Sequence, residues 1–100
     1  MVYRIIWAPR ALRDLAEIIG YIKRDDPRIA RKFGENLIVK AESLSTFPER
    51  GVVVQKYPGK NIRQIALRAY RITYRIQAEL AVVEIVRIWH SARNESNLEI

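Results

Sequence analysis

The sequence contains no cysteine, a single histidine, a single methionine and only four glycines. Without cysteine there is neither a disulfide framework nor a thiolate metal site. His90 is the one imidazole, and no His/Asp/Glu spacing around it resembles a ligand set, so neither metal nor cofactor is expected. The glycines are too scattered for a phosphate-cradling loop, and no Ser/His/Asp set has a supporting spacing. Pro/Gly/Ser linkers, repeats and low-complexity tracts are absent, which points to one domain over residues 1–100. A chain of this length buries roughly 65% of its unfolded surface, enough for a modest core. No apolar run approaches the ~20 residues of a membrane helix, because Arg or Glu interrupts each one. Met1–Trp7 lacks the basic start, long apolar stretch and cleavage site of a secretory leader. The expectation is a cytoplasmic chain with no membrane partner.

Acid is also missing, but locally. Residues 50–78 hold no Asp or Glu, yet carry Arg50, Lys56, Lys60, Arg63, Arg68, Arg71 and Arg75. The flanks nearly cancel: nine Lys/Arg against seven Asp/Glu before the window, and two against four after it. The formal charge of +7 therefore sits in one block, which points to a polyanionic or strongly acidic partner; the plainer alternative is a generally basic, solvated surface.

What is present reads as strand, helix, helix and three strands. Val2–Ile6 is a short β-prone run. Pro9 opens a helix at the first position, where its missing N–H costs nothing. Leu12, Leu15, Ala16, Ile18, Ile19 and Ile22 form its apolar face, with Arg10, Arg13, Asp14, Glu17 and Arg24 largely opposite. Asp26 and Pro27 start a second helix with the stripe Ala30, Phe33, Leu37, Ala41 and Leu44. Phe47-Pro48 ends it, and Pro48-Glu49-Arg50-Gly51 is a turn. Val52–Val54 is open to a strand reading. Tyr70–Gln77 alternates strictly, which sends Tyr70, Ile72, Tyr74 and Ile76 to the helices and Arg71, Thr73, Arg75 and Gln77 outward. A hairpin near Ala78–Leu80 leads to Val82–Trp89, apolar on both parities as in a central strand. The fold class is α+β: an N-terminal strand, an antiparallel helical hairpin, then a three-stranded antiparallel meander with both helices on one sheet face.

On the open face, Arg71 and Arg75 stand about 13 Å apart along their strand. With Arg63 they offer guanidinium groups suited to bidentate phosphate contacts. The plainer alternative is that arginine stems cover an open sheet face. His90 ends the last strand. It reads either as a general base or acid for 2′-hydroxyl attack or as a rim histidine bonded to a neighbouring loop. Arg93, and Arg87 if it turns to this side, complete the basic set of candidate binding residues. Glu84 and Arg87 are left without an assigned side. Trp89 reads as core.

Several pieces in this order resemble the RelE/ParE toxin superfamily. They are Trp7-Ala8-Pro9-Arg10-Ala11-Leu12-Arg13-Asp14-Leu15, Ile19-Gly20-Tyr21-Ile22, Asp26-Pro27, Phe47-Pro48-Glu49-Arg50-Gly51, Tyr70–Ile76 and Arg87-Ile88-Trp89-His90-Ser91-Ala92-Arg93. The resemblance implies the toxin of a type II toxin–antitoxin module, held silent in a hetero-oligomer with its antitoxin. RelE-like members cleave mRNA on the ribosome; ParE-like members inhibit DNA gyrase. Ala11–Leu15, Tyr21-Ile22, the Pro-Glu-Arg-Gly turn and His90–Arg93 look ParE-like. Arg71 matches an arginine that nuclease members place on the scissile phosphate, and His90 falls near a histidine found in both branches. The glutamate of some nucleases has no counterpart, since Val52, Val53, Val54 and Gln55 occupy that region. The resemblance thus favours gyrase inhibition by protein binding. The alternative is a ribosome-dependent endoribonuclease using Arg71, His90 and Arg63.

Overall fold

The computed structural model describes residues 2–93 and 98–100. Two helices pack on one face of a five-stranded mixed sheet. The strands are β1 (Arg4–Trp7), β2 (Val52–Val53), β3 (Ile62–Leu67), β4 (Tyr70–Gln77) and β5 (Val82–His90), in the order β1-β5-β4-β3-β2. The meander β3-β4-β5 is antiparallel as its alternation requires, and β5 is central. The first strand runs parallel to β5 and begins at Arg4 rather than Val2.

Helix α1 (Pro9–Lys23) starts on Pro9, with extended Ala8 before it and no side-chain cap. Helix α2 (Pro27–Glu42) is capped by Asp26, whose Oδ1 accepts from the Arg28 N–H at 2.9 Å and the Ile29 N–H at 3.3 Å. The α2 stripe is buried as its spacing demands: Ala30, Phe33, Leu37 and Ala41, followed by Leu44 in the next turn. These meet Ile72, Tyr74, Ile76, Val83, Ile85 and Ile88 in the core under the helices. The two helices pack tightly at Gly34, where a Cβ would stand 2.7 Å from Ile19 Cδ1.

Two expectations about faces are corrected. In α1 the buried residues are Ala11 and Asp14, with Leu15, Ile18 and Ile22 packed against the core, while Leu12 and Ala16 face solvent. Asp14 therefore lies on the apolar stripe and not opposite it. The sheet face away from the helices is not open. Thr73, Trp89 and Ile62 are buried there, and the Trp89 indole N–H donates to Thr73 Oγ1 at 2.8 Å. The C-terminal residues return to the same side: the Leu98 carbonyl accepts from Lys56 Nζ and the Tyr57 hydroxyl, and the Glu99 carbonyl from Arg87 Nη1.

β1 ends opposite Ile85, so β5 beyond it has no neighbouring strand on that side. An exposed edge needs a device to satisfy or shield its backbone. Asp14 supplies it. Its Oδ2 accepts from the Ile88 N–H at 2.9 Å and from Arg87 Nε at 2.7 Å, with Arg87 Nη2 at 3.4 Å from Oδ1. Asp14→Ala would leave a buried guanidinium without its carboxylate and an edge amide without its acceptor. Urea denaturation is expected to show a loss of about 3–5 kcal/mol. Arg10 reaches the same carboxylate at 3.7 Å but is mostly exposed; Arg10→Ala should cost less than about 1 kcal/mol.

Candidate functional site

Strand pairing decides which side each candidate residue takes. On β4, residue parity puts Arg71 and Arg75 on the face away from the helices, with Thr73 buried between them. Arg75 Nη1 lies 3.8 Å from Glu84 Oε1, and Gln77 Nε2 donates to the same oxygen at 3.4 Å. Glu84 thus belongs to the arginine face. Arg71 Nη1 contacts the Tyr70 carbonyl at 3.3 Å. Between Ile85 and Arg87 the strand carries an extra residue, Val86, opposite the Thr73/Tyr74 step. Such a bulge re-aims the residues after it.

Arg63 is placed differently from the sequence expectation. It pairs with Tyr74, a core residue under the helices, and so leaves the Arg71 face. Its Nη1 donates to the Glu49 carbonyl at 3.1 Å and the Gly51 carbonyl at 2.8 Å. The Tyr74 hydroxyl completes the hold by donating to the Pro48 carbonyl at 2.6 Å and accepting from the Gly51 N–H at 2.9 Å. Gly51 is needed here, because a Cβ would sit 2.5 Å from that hydroxyl and 2.7 Å from the Gln64 carbonyl. Arg87 is also removed from the basic surface: it is buried and paired with Asp14.

The rim gathers a second group. His90 pairs with Tyr70, which puts it on the helix side, and their rings meet edge-on at 5.1 Å. His90 Nδ1 accepts from the Ala92 N–H at 3.0 Å, the loop-bonding role open to a rim histidine. Around it lies a cleft of about 360 Å³, lined by Glu17, Tyr21, Tyr70, Trp89 and Arg93 among others. Arg93 is exposed at this rim rather than on the sheet face. The structure therefore brings His90 and Arg93 together, leaves Arg71 and Arg75 on the other side, and ties Arg63 and Arg87 into the framework. Glu17 beside His90 and the buried Asp14 and Tyr74 are the residues that sequence reasoning passed over. Only Asp14 carried a signal, its place in the Ala11–Leu15–Ile18–Ile22 stripe. Among the described residues, no three His, Asp or Glu side chains cluster as a metal site, and no helix is long and apolar enough to cross a membrane.

Burial pushes the Tyr74 phenol above its ordinary value of 10.0, outweighing its hydrogen bond from Gly51 and the nearby Arg63. A raised folded value has a defined sign. Below pH 10 the phenol is neutral in both states. Above it the unfolded chain ionises first, so stability falls from there toward the folded value. Tyr74→Phe should lose about 1–3 kcal/mol at neutral pH, by stranding the Gly51 N–H and weakening the turn. It should also lack this alkaline component; chemical denaturation at pH 7 and above pH 10 checks both.

The comparisons agree on one family. Residues 5–95 match the family described as the ParE toxin of type II toxin–antitoxin systems. The chain is 35% identical over 91 residues to the toxin RelE2 of Caulobacter vibrioides, covering 90% of this chain and 97% of that one. Its fold superposes on the chromosomal ParDE system of P. aeruginosa with a TM-score of 0.71 at 18% identity, covering 89% and 96% of the two chains. It superposes on the toxin–antitoxin complex RelBE2 of Mycobacterium tuberculosis with a TM-score of 0.68 at 26% identity, covering 90% and 99%. With a family match along nearly its whole length, on a fold of helical hairpin and five-stranded sheet, this chain belongs to the RelE/ParE superfamily of type II toxin–antitoxin toxins.

Proposed function

We propose that this toxin acts by binding a protein target, DNA gyrase, and is neutralised in a hetero-oligomer with a cognate antitoxin in the cytoplasm. One observation carries the reading. Arg71, the arginine matched to scissile-phosphate binding, and His90, the only imidazole, lie on opposite faces of the sheet. Their side chains leave the sheet in opposite directions, which counts against their acting together on one phosphate. Each general acid or base is worth about 10²–10⁴ in rate, so separating the groups forfeits most of the chemistry. Arg63 and Arg87 are spent on framework contacts. A binding inhibitor needs only a shaped surface, and the arginine face and rim provide one. The antitoxin partner is supported by the family and by relatives solved as toxin–antitoxin complexes.

A second reading, a ribosome-dependent endoribonuclease, has its own support. The rim cleft is lined by Glu17 and Arg93 as well as His90, a carboxylate and a cation that the sequence pattern did not associate with it. The relative at 35% identity also carries the RelE name. The two readings part on one residue.

Purified protein is expected to block gyrase supercoiling or to trap cleaved DNA, with His90→Ala retaining most of the effect. Arg71→Glu and Arg75→Glu should weaken inhibition while melting within about 0.5 kcal/mol of wild type, as surface changes do. Ile72→Asp, by burying a charge in the core, should unfold the chain. Ribosome-dependent mRNA cleavage that vanishes in His90→Ala, with gyrase untouched, would reverse the assignment.

A further inference from the structure

Five hydrogen bonds from side chains hold the turn that follows α2. Tyr74, fully buried, bonds Pro48 and Gly51, Arg63 bonds Glu49 and Gly51, and Arg50 Nη2 donates to Ser43 Oγ at 2.7 Å. A surface turn rarely commands a buried tyrosine and an arginine from the sheet. What the turn displays is apolar. Phe47 is 66% exposed at one end, and Val52 and Val53 are 69% and 45% exposed at the other. A shallow depression of about 530 Å³ lies along Thr46–Arg50. Large exposed aromatic and aliphatic groups on a rigid support mark a binding surface, because little ordering entropy remains to be lost on contact.

Two further features define the occupant. β2 is the last strand of the sheet. Since the Val54 N–H donates to the Ile62 carbonyl, and bonded positions alternate along an antiparallel pair, Val53 turns its own N–H and C=O away from β3. An extended segment can pair there. The local charge is positive: around the Tyr74 hydroxyl, Arg50 and Arg63 outnumber Glu49, and no further acid follows until residue 79. We infer that the Phe47–Val53 turn is the docking site for an extended, acidic segment of the antitoxin, which seats an apolar side chain against Phe47 and pairs its backbone with Val53. This rests on the toxin–antitoxin reading. The family match names a toxin but assigns no contact surface.

Titration calorimetry of the full chain with the antitoxin encoded beside it tests the surface. Phe47→Asp should weaken binding about 30-fold, as loss of an anchoring aromatic does. Phe47→Leu, which keeps the apolar body, should stay within about threefold of wild type. Arg50→Glu should cost about tenfold at low salt, with the gap narrowing at high salt. In the complex, amide exchange at Val53 should slow. Thermal melts confirm that the variants fold, as the exposure of Phe47 and Arg50 leads one to expect. An antitoxin that fails to bind the wild-type chain would remove the toxin–antitoxin reading itself. Tight binding to wild type that Phe47→Asp and Arg50→Glu leave unchanged would remove only this surface. Loss of gyrase inhibition with antitoxin binding intact would overturn the choice of occupant.

Discussion

The contact on which the architecture depends is the carboxylate of Asp14. It joins three parts of the chain far apart in sequence: α1, the unpaired edge of β5, and, through Arg87, the C-terminal residues at Glu99. Burying an ion pair is costly, and the attraction repays it only where every remaining lone pair and proton finds a partner. Here the carboxylate takes two arginine N–H contacts and one backbone amide, and a carbonyl on the far side takes a third guanidinium N–H. The pair does a second service. β1 is too short to cover β5, and a polar side chain completes the edge where a strand would otherwise have to run.

This arrangement changes the meaning of the net charge. A count of +7 concentrated in residues 50–78 suggests a broad cationic face. The structure divides that block by environment. Arg63 turns under the sheet to hold backbone carbonyls, Arg75 leans on Glu84, and Arg87, just outside the block, is neutralised within the interior. Planar guanidinium groups suit this work because their forked donors satisfy several acceptors at once. Half-buried arginines of this kind stiffen the scaffold and leave fewer cations for a polyanion.

Much of the fold was legible because local rules and tertiary packing agree. The α2 stripe repeats at steps of three and four and is buried throughout. Tyr70–Ile76 alternates, and its apolar parity meets the helices. The misassigned residues share a cause. Asp14 looks polar and was placed outside, but a helix stripe is defined by angle, and the edge of β5 needed an acceptor at that angle. Thr73 has outward parity, yet outward on this sheet means beneath Trp89. Arg63 is expected on the Arg71 face yet lies on the other, because its face depends on the register of β3 against β4, and Ile62–Leu67 lacks the alternation that would set it. The cleft at His90 joins α1 to the end of β5, so no spacing along the chain reports Glu17 as its neighbour.

The same constraint bears on what the fold can do. A scaffold shared by inhibitors and nucleases does not choose between them; the choice lies in which side chains reach a common point. On this sheet the parity of β4 and the register of β5 place Arg71 beside Trp89 and His90 beside Tyr70, on opposite faces. The bulge at Val86 cannot alter that, since it lies before the pairs in question and shifts both together. Putting the arginine and the histidine on one face would require slipping β4 against β5 by one residue. That slip would turn Ile72 out of the core, and a fully buried isoleucine resists it by about 1.5–3 kcal/mol of lost burial alone. The packing that stabilises the domain therefore also sends the two side chains to opposite faces.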